Sequence, residues 1–185
     1  MEKINPIIGL VLLLGSQGFF AIQKLPAEGI LLEDFETTDW VWEGAEGNTI
    51  KTLLAPGKEG KALQVDYDLK SKQWVQWKKD ISIPNYEGNT LQFYMKVLGE
   101  KKNNLEIKLI DNDGTNFGYK IVLIPLGEWK RIEIALKDFS YWWGGDSTLS
   151  EVKQMYFAVS HIQGGKGSVI LDDLRAVKSP PEQRQ

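Results

Sequence analysis

Apolar and polar residues alternate with a period of two along most of this chain, and that period decides which kind of element it forms. The alternation runs through residues 62–69, 91–97, 105–109, 119–124, 129–136 and 155–159, with Gly, Pro, Asn or Asp at the bounds. A strand turns successive side chains to opposite faces, so each run predicts a strand with one face in a core. Only residues 149–153, after the candidate caps Ser147 and Thr148, favour a short helix.

About ten strands follow from this pattern, too many for one flat sheet of this length. Two antiparallel sheets packed face to face bury both apolar faces, and Gly-rich turns supply the connections. With 185 residues, 42% of them hydrophobic, the chain is long enough for one such domain. The fold class predicted is all-β: a two-sheet antiparallel β-sandwich of the jelly-roll kind over residues 22–178, followed by a disordered tail at 179–185.

The N-terminus reads as an export signal. One Lys lies within residues 1–5, an apolar run follows from Pro6 to Gly15, and the small residues Ser16 and Gly18 come next. That order is typical of a signal peptide over residues 1–21, cleaved after Gly18 or Ala21. The mature protein is therefore expected outside the bacterial cell or in the periplasm. The alternative is a retained membrane anchor, for which the apolar run is barely long enough.

Charge and residue types exclude several functions. With 22 Lys+Arg against 25 Asp+Glu and no long basic run, the chain lacks the footprint of nucleic-acid binding. It has no Cys, which removes disulfides and thiolate metal sites, and His161 is its single His. No nucleophile elbow or phosphate-binding loop is present. The chain is therefore predicted to be no enzyme, although paired carboxylates keep a weak glycoside hydrolase as an alternative.

Several segments resemble those of a known group of proteins. They are LEDFE at residues 32–36, GKAL at 60–63, NLEIKLID at 104–111, EWKR at 128–131 and GKGSVILDDL at 165–174. In this order they are similar to the galactose-binding-like jelly rolls, particularly carbohydrate-binding modules of family 11. Domains of the complex I intermediate-associated protein 30 type are also similar. The resemblance implies a carbohydrate-binding sandwich across residues 30–177.

The same resemblance implies a structural calcium ion near the two ends of the domain. In similar jelly rolls the first and last strands meet, and acids together with backbone carbonyls hold Ca²⁺ there, which prefers oxygen ligands. The corresponding acids here are Asp34, Glu36, Asp172 and Asp173. The alternative is that these carboxylates cap strand ends or pair with surface lysines.

Aromatic residues carry the functional prediction, because seven Trp and six Tyr exceed what a core of this size needs. If Val75 and Trp77 point inward, the alternation turns Trp74, Gln76 and Lys78 outward. The register of the strand around residues 117–123 is open, so either Tyr119 or Lys120 joins the outer set. The predicted carbohydrate-binding residues are Trp74, Gln76, Lys78, Gln92, Tyr94, Glu106, Lys108, Tyr119, Tyr156 and Trp142.

Such a set suits a sugar, whose ring has apolar C–H faces and a rim of hydroxyls. In similar modules a glucan chain lies on an aromatic-lined concave sheet face. The run Tyr141-Trp142-Trp143 before Gly144-Gly145 predicts a loop with at least one ring exposed, and the resemblance implies that one of Trp142 and Trp143 packs beneath the sheet. Trp40 and Trp42 are assigned to core or loop packing. The function predicted is a secreted, non-catalytic protein that binds a β-glucan-like polysaccharide. The alternative is a sandwich that contacts a protein partner in the cell envelope, which would cover the rings of the outer face. A separate alternative for Trp74 and Tyr94 is that they fill gaps under loops.

Overall fold

The computed structural model describes residues 29–70, 73–83 and 89–178, which form twelve strands and one 3-10 turn at Leu136–Asp138. The strands are β1 Ile30–Glu33, β2 Val41–Gly44, β3 Thr49–Pro56, β4 Lys61–Leu69, β5 Trp74–Ile83, β6 Asn89–Gly99, β7 Asn103–Asp111, β8 Asn116–Leu123, β9 Trp129–Ala135, β10 Ser140–Trp143, β11 Val152–Ser160 and β12 Gly165–Lys178. The short helix predicted for residues 149–153 is wrong, because Leu149 packs on the core and β11 begins at Val152.

Two antiparallel sheets contain these strands. Sheet I has the order β3-β4-β12-β6-β9, with β1 paired to β12, and sheet II has the order β10-β8-β7-β11-β5-β2. The long β12 lies between β4 and β6 at the centre of sheet I. The predicted two-sheet antiparallel sandwich is confirmed.

The core between the sheets follows the predicted alternation. On β6 and β7 every second residue is buried, with Phe93 and Ile107 fully so. Phe157 lies at the centre of an aromatic cluster, because its ring centroid is 5.7 Å from that of Trp40, 5.8 Å from Trp77 and 5.7 Å from Phe93. These rings supply much of the apolar burial that holds the sheets together.

One ion pair also joins the sheets. Lys79 on β5 contacts the buried Glu33 on β1 at 2.5 Å and Asp39 at 3.0 Å. Burial alone would lower the pKa of the Lys79 ammonium, but the hydrogen bonds to both carboxylates outweigh it and raise that pKa. The charged form of Lys79 is therefore stabilised by folding.

The predicted signal peptide and the predicted C-terminal tail lie outside the described residues, so both stay predictions. Across the stretches that are described, no helix is long and apolar enough to cross a membrane.

Candidate functional site

The outer face of sheet II brings together most of the predicted sugar-binding residues. Trp74, Gln76 and Lys78 project from β5 on the side opposite the buried Val75 and Trp77. The other predicted residues on this face are Tyr156 from β11, Glu106 and Lys108 from β7, and Trp142 from β10. Tyr156 is directly opposite both Lys78 and Lys108, so these three strands bring their side chains into one row.

A chain of polar contacts crosses this outer face. The Lys108 ammonium donates a 2.9 Å hydrogen bond to Oε1 of Gln76, although β11 separates their strands. The Gln76 amide donates to Glu43 on β2. On the other side, Glu106 contacts Lys108 at 4.0 Å and Lys120 at 3.0 Å. The polar groups are therefore held in place before any ligand arrives.

Lys108 is the most buried cation of this network, with only 13% of its side chain exposed. Burial lowers the pKa of its ammonium, while the carboxylates of Glu106 and Glu43 act in the opposite direction. The charge on Lys108 therefore costs folding free energy, unlike the charge on Lys79. Groups kept at such a cost are frequent at binding sites.

Each of three rings on the outer face has a lysine beside it. The Lys108 ammonium is 5.6 Å from the ring centroid of Trp74, which is 38% exposed. Lys78 is 5.5 Å from Tyr156, and Lys120 is 5.3 Å from Trp142. These distances fit cation–π contacts. A flat apolar ring next to a hydrogen-bond donor matches the C–H face and the hydroxyl rim of a sugar.

A β-bulge places two adjacent tryptophans of β10 together. The pairing of β10 with β8 shifts register between Tyr141 and Trp143. The rings of Trp142 and Trp143 are stacked, with centroids 5.8 Å apart and an interplanar angle of 26°. The predicted loop is wrong, because residues 140–143 form β10. The expected exposed rings are present, with Trp143 at 54% exposure and Tyr141 at 45%.

Two predicted residues do not belong to this site. Gln92 and Tyr94 project outward from β6, but β6 is part of sheet I, so they lie on the opposite side of the sandwich. Tyr94 is opposite Asp172 and Arg131, and its ring lies 5.0 Å from the Lys58 ammonium. The prediction that Gln92 and Tyr94 share a face with Trp74 is therefore wrong.

Tyr119 also points away from the outer face. It is opposite Ile107 and packs against the core, with its ring centroid 5.8 Å from that of Phe139. Of the two options left open for β8, the structure places Lys120 on the outer face, where it is opposite Glu106.

Two residues of the face were missed from the sequence. Glu43 is on a strand of four residues, too short to show a clear alternation. Trp143 shares its face with Trp142 only through the bulge, and the Gly144-Gly145 pair is the sole sequence signal nearby. Trp42, assigned to core or loop packing, is instead 56% exposed at the core side of the sheet edge, opposite Trp77.

The four predicted metal-binding acids line one cleft, where the chain after β1 lies beside β12. Its volume is about 410 Å³, and Tyr94, Lys58 and Arg175 also line it. Asp34 and Glu36 follow β1 rather than extending it, because the strand ends at Glu33 and Phe35 has a φ of 57°. Within residues 29–70, 73–83 and 89–178, no three Asp, Glu or His side chains gather as metal ligands.

Carboxylate and backbone carbonyl oxygens lie close together around Gly57 in this cleft. A Cβ placed on Gly57 would lie 2.7 Å from Oδ2 of Asp172, 2.7 Å from the Lys61 carbonyl oxygen and 2.8 Å from that of Glu59. The Glu36 carboxylate lies against Gly60 in the same loop and accepts the Lys61 N–H at 2.9 Å. Oδ2 of Asp172 also accepts the Lys58 N–H at 2.7 Å, so these oxygens pack around the backbone of the loop. Carboxylate and carbonyl oxygens are the ligands that Ca²⁺ prefers.

Comparison with known proteins adds to this geometry. At the level of sequence, no protein-family profile and no curated protein matches the chain. At the level of structure, a family 11 carbohydrate-binding module from Clostridium thermocellum, solved with a β-1,3-1,4-mixed-linked tetrasaccharide, superposes with a TM-score of 0.67. It is 19% identical over 80% of this chain and 95% of the module. The fold is that of the family 11 modules.

Two further structures extend the comparison. The family 11 module of the cellulosomal cellulase Lic26A-Cel5E from the same organism has a TM-score of 0.66 at 19% identity, covering 84% of this chain and 98% of the module. An exo-β-agarase matches with a TM-score of 0.58 at 16% identity, covering 82% of this chain but 26% of the agarase. The fold of this chain thus corresponds to whole binding modules and to a minor part of that enzyme.

Proposed function

We propose that this protein binds a β-glucan-like polysaccharide, without chemical conversion, on the outer face of sheet II. The observation that carries the proposal is the set of three rings, each beside a lysine, around a polar network that crosses the sheet. The rings offer stacking surfaces and the network offers fixed donors and acceptors to hydroxyls. The mixed-linked tetrasaccharide bound by a similar module supports the choice of ligand class.

Affinity electrophoresis in gels that contain soluble β-1,3-1,4-glucan tests this proposal. The wild-type protein should be retarded, and Trp74→Ala should lose most of the retardation because it removes a 38% exposed ring beside Lys108. Tyr94→Ala is the matched control, since it removes an aromatic ring from the opposite sheet. Equal retardation of wild-type and Trp74→Ala proteins, or no retardation by any β-glucan, would contradict the proposal.

The alternative to binding alone is that the same face hydrolyses the polysaccharide. Glu106 and Glu43 are the carboxylates of the network, but each already has a partner: Lys120 is 3.0 Å from Glu106, and the Gln76 amide donates to Glu43. We therefore propose binding alone. A reducing-sugar assay of the purified protein on β-glucan decides the matter, since release that Glu106→Gln abolishes would establish an enzyme.

Export and the protein partner are separate proposals. The signal-like segment 1–21 supports a protein that acts outside the cytoplasm, and the N-terminal sequence of the mature protein should begin after Gly18 or Ala21.

A protein partner in the cell envelope is the alternative ligand of the sandwich. The apolar side chains of Val122, Ile124 and Leu126, each about half exposed, favour a contact there. Stoichiometric co-purification from native cells tests it.

For the acidic cleft we propose a structural calcium ion. Asp34, Glu36, Asp172 and Asp173, which line the cleft, would hold it together with backbone carbonyl oxygens of the neighbouring loop. When bound, Ca²⁺ would neutralise the local carboxylate charge and tie the chain after β1 and the loop before β4 to β12. Calcium titration by calorimetry tests this, with magnesium as the comparison ion.

A further inference from the structure

We infer that Trp142 and Trp143 form a second saccharide-stacking platform, far from Trp74, so that a bound glycan lies across the strands of sheet II. This inference rests on the proposed function and adds to it a ligand orientation and a minimum ligand length. It also adds Trp143 to the binding face, where the alternation of residues alone does not place its ring.

The two β10 rings pack against each other, with Trp142 half-buried on the sheet and Trp143 exposed. They stack 5.8 Å apart at 26°, and Trp143 is more exposed than any other ring on the outer face, at 54%. Side chains of neighbouring residues in a regular strand point to opposite faces, so the register shift in β10 is what brings these two together. Exposed paired tryptophans at a bulge indicate a contact surface rather than core packing.

The platform is held rigidly on the sheet. The Trp142 ring lies directly against the backbone of Gly118, where a Cβ would overlap the ring. Tyr141 anchors the same strand from the core side, because its ring meets Phe117 edge-on at 6.2 Å and its hydroxyl donates to the Gly144 carbonyl at 3.2 Å. A surface that is already ordered loses little conformational entropy when a ligand binds.

The strand register gives the separation of the two platforms. Gly118, under Trp142, is in one row with Lys108, Tyr156 and Lys78, on β8, β7, β11 and β5. Gly118 and Tyr156 are two strands apart, about 10 Å, and Trp74 is one strand further and four residues along β5. At backbone level the tryptophan platforms are therefore about 20 Å apart on a diagonal.

A ligand that reaches both platforms must cross the polar network. Lys108, Gln76 and Glu106 lie between the two ends of the diagonal, and Tyr156 lies beside them. A short oligosaccharide can stack on one platform only. A longer chain can stack on both ends while its hydroxyls meet the network in the middle.

Isothermal titration calorimetry with β-1,3-1,4-gluco-oligosaccharides, from disaccharide to octasaccharide, tests the inference. Trp143→Ala should weaken octasaccharide binding about tenfold and disaccharide binding at most about twofold. Trp42→Ala is the matched control, because its ring is equally exposed, at 56%, yet lies at the opposite edge on the core side. It should bind every length as the wild type does.

A second variant changes Gly118, the residue that lies beneath the Trp142 ring. Gly118→Ala should displace the Trp142 ring and reproduce the length dependence of Trp143→Ala, while thermal unfolding reports whether the sheet is intact. The inference is overturned if Trp143→Ala changes no affinity, or changes all lengths equally, while Trp74→Ala still weakens binding; the proposed function then stands. If the wild-type protein binds no length, both fall together.

Discussion

The charge of Lys79 stabilises the fold, whereas the charge of Lys108 destabilises it. Replacing each lysine with Met should therefore change the free energy of unfolding by different amounts. Lys79→Met removes the partner of Glu33, which is 6% exposed, and leaves that carboxylate unpaired between the sheets. Breaking a fully buried ion pair costs about 3–5 kcal/mol. The Lys79 side chain is 26% exposed, so water screens the pair and we expect a loss of about 2 kcal/mol.

Lys108→Met should behave differently, because burial makes the Lys108 ammonium a cost to the fold. Its removal relieves that cost but leaves Oε1 of Gln76 without its 2.9 Å donor. An unpaired buried acceptor costs about 1–3 kcal/mol, and the apolar replacement offsets part of it. We expect the free energy of unfolding to change by no more than about 1 kcal/mol, while β-glucan binding weakens.

The pH dependence of the two lysines has opposite signs as well. The raised pKa of Lys79 means that its contribution is complete below the unfolded pKa and is lost as pH rises through the folded pKa, above 10.5. The lowered pKa of Lys108 means that the unfolded chain holds more protons between the folded pKa and 10.5, so stability rises with pH there.

Urea unfolding followed by tryptophan fluorescence, with near-UV circular dichroism as a second probe, measures both variants across pH. At neutral pH, Lys79→Met should also lower the melting temperature by about 4–8 °C. The reasoning is refuted if the two variants lose the same free energy of unfolding, or if Lys108→Met is the less stable of the pair.

Three further substitutions have expected outcomes. Asn103→Ala should cost about 3 kcal/mol in urea unfolding, because its buried Oδ1 accepts the N–H groups of Ile162, Gln163 and Gly164; a loss below 1 kcal/mol would contradict this. Phe157→Ala should cost about 3–5 kcal/mol by the same measurement, since it leaves a cavity among three rings, and an unchanged denaturation midpoint would disprove it. Asp172→Asn should abolish the rise in melting temperature that calcium gives over EDTA, and an equal rise in both proteins would count against the calcium proposal.

The alternation of residues predicted the strands well, and it also predicted which side chains point away from the core. On β7, and on β6 from Leu91 to Leu98, the buried and half-buried positions follow it. The pattern carries no information about which sheet a strand joins. Trp74 and Tyr94 both point outward as expected, but they belong to different sheets and so face opposite ways. Sheet membership is set by long-range pairing, which a local period cannot report.

Two other differences have local causes. On β8 the apolar residues occupy both faces, since Val122 is exposed outside while Tyr119 and Leu123 face the core. Among residues 119–123 only Lys120 is charged and marks the outer side. On β10 a bulge breaks the period itself. A register shift depends on how two strands meet, so Trp143 could be placed on the face only from the three-dimensional structure.

The position of β12 has a consequence for how this protein is made. It runs between β4 and β6 and also pairs with β1, so Ile30 meets Ala176 across nearly the whole described chain. A nascent chain that has not yet extended past residue 165 lacks the strand that joins the two halves of sheet I. Contacts this distant in sequence form slowly, and the unpaired edges of β4 and β6 stay open to other strands until then. Synthesis of β12, rather than the appearance of any early hairpin, should therefore be the event that commits the chain to its native sandwich.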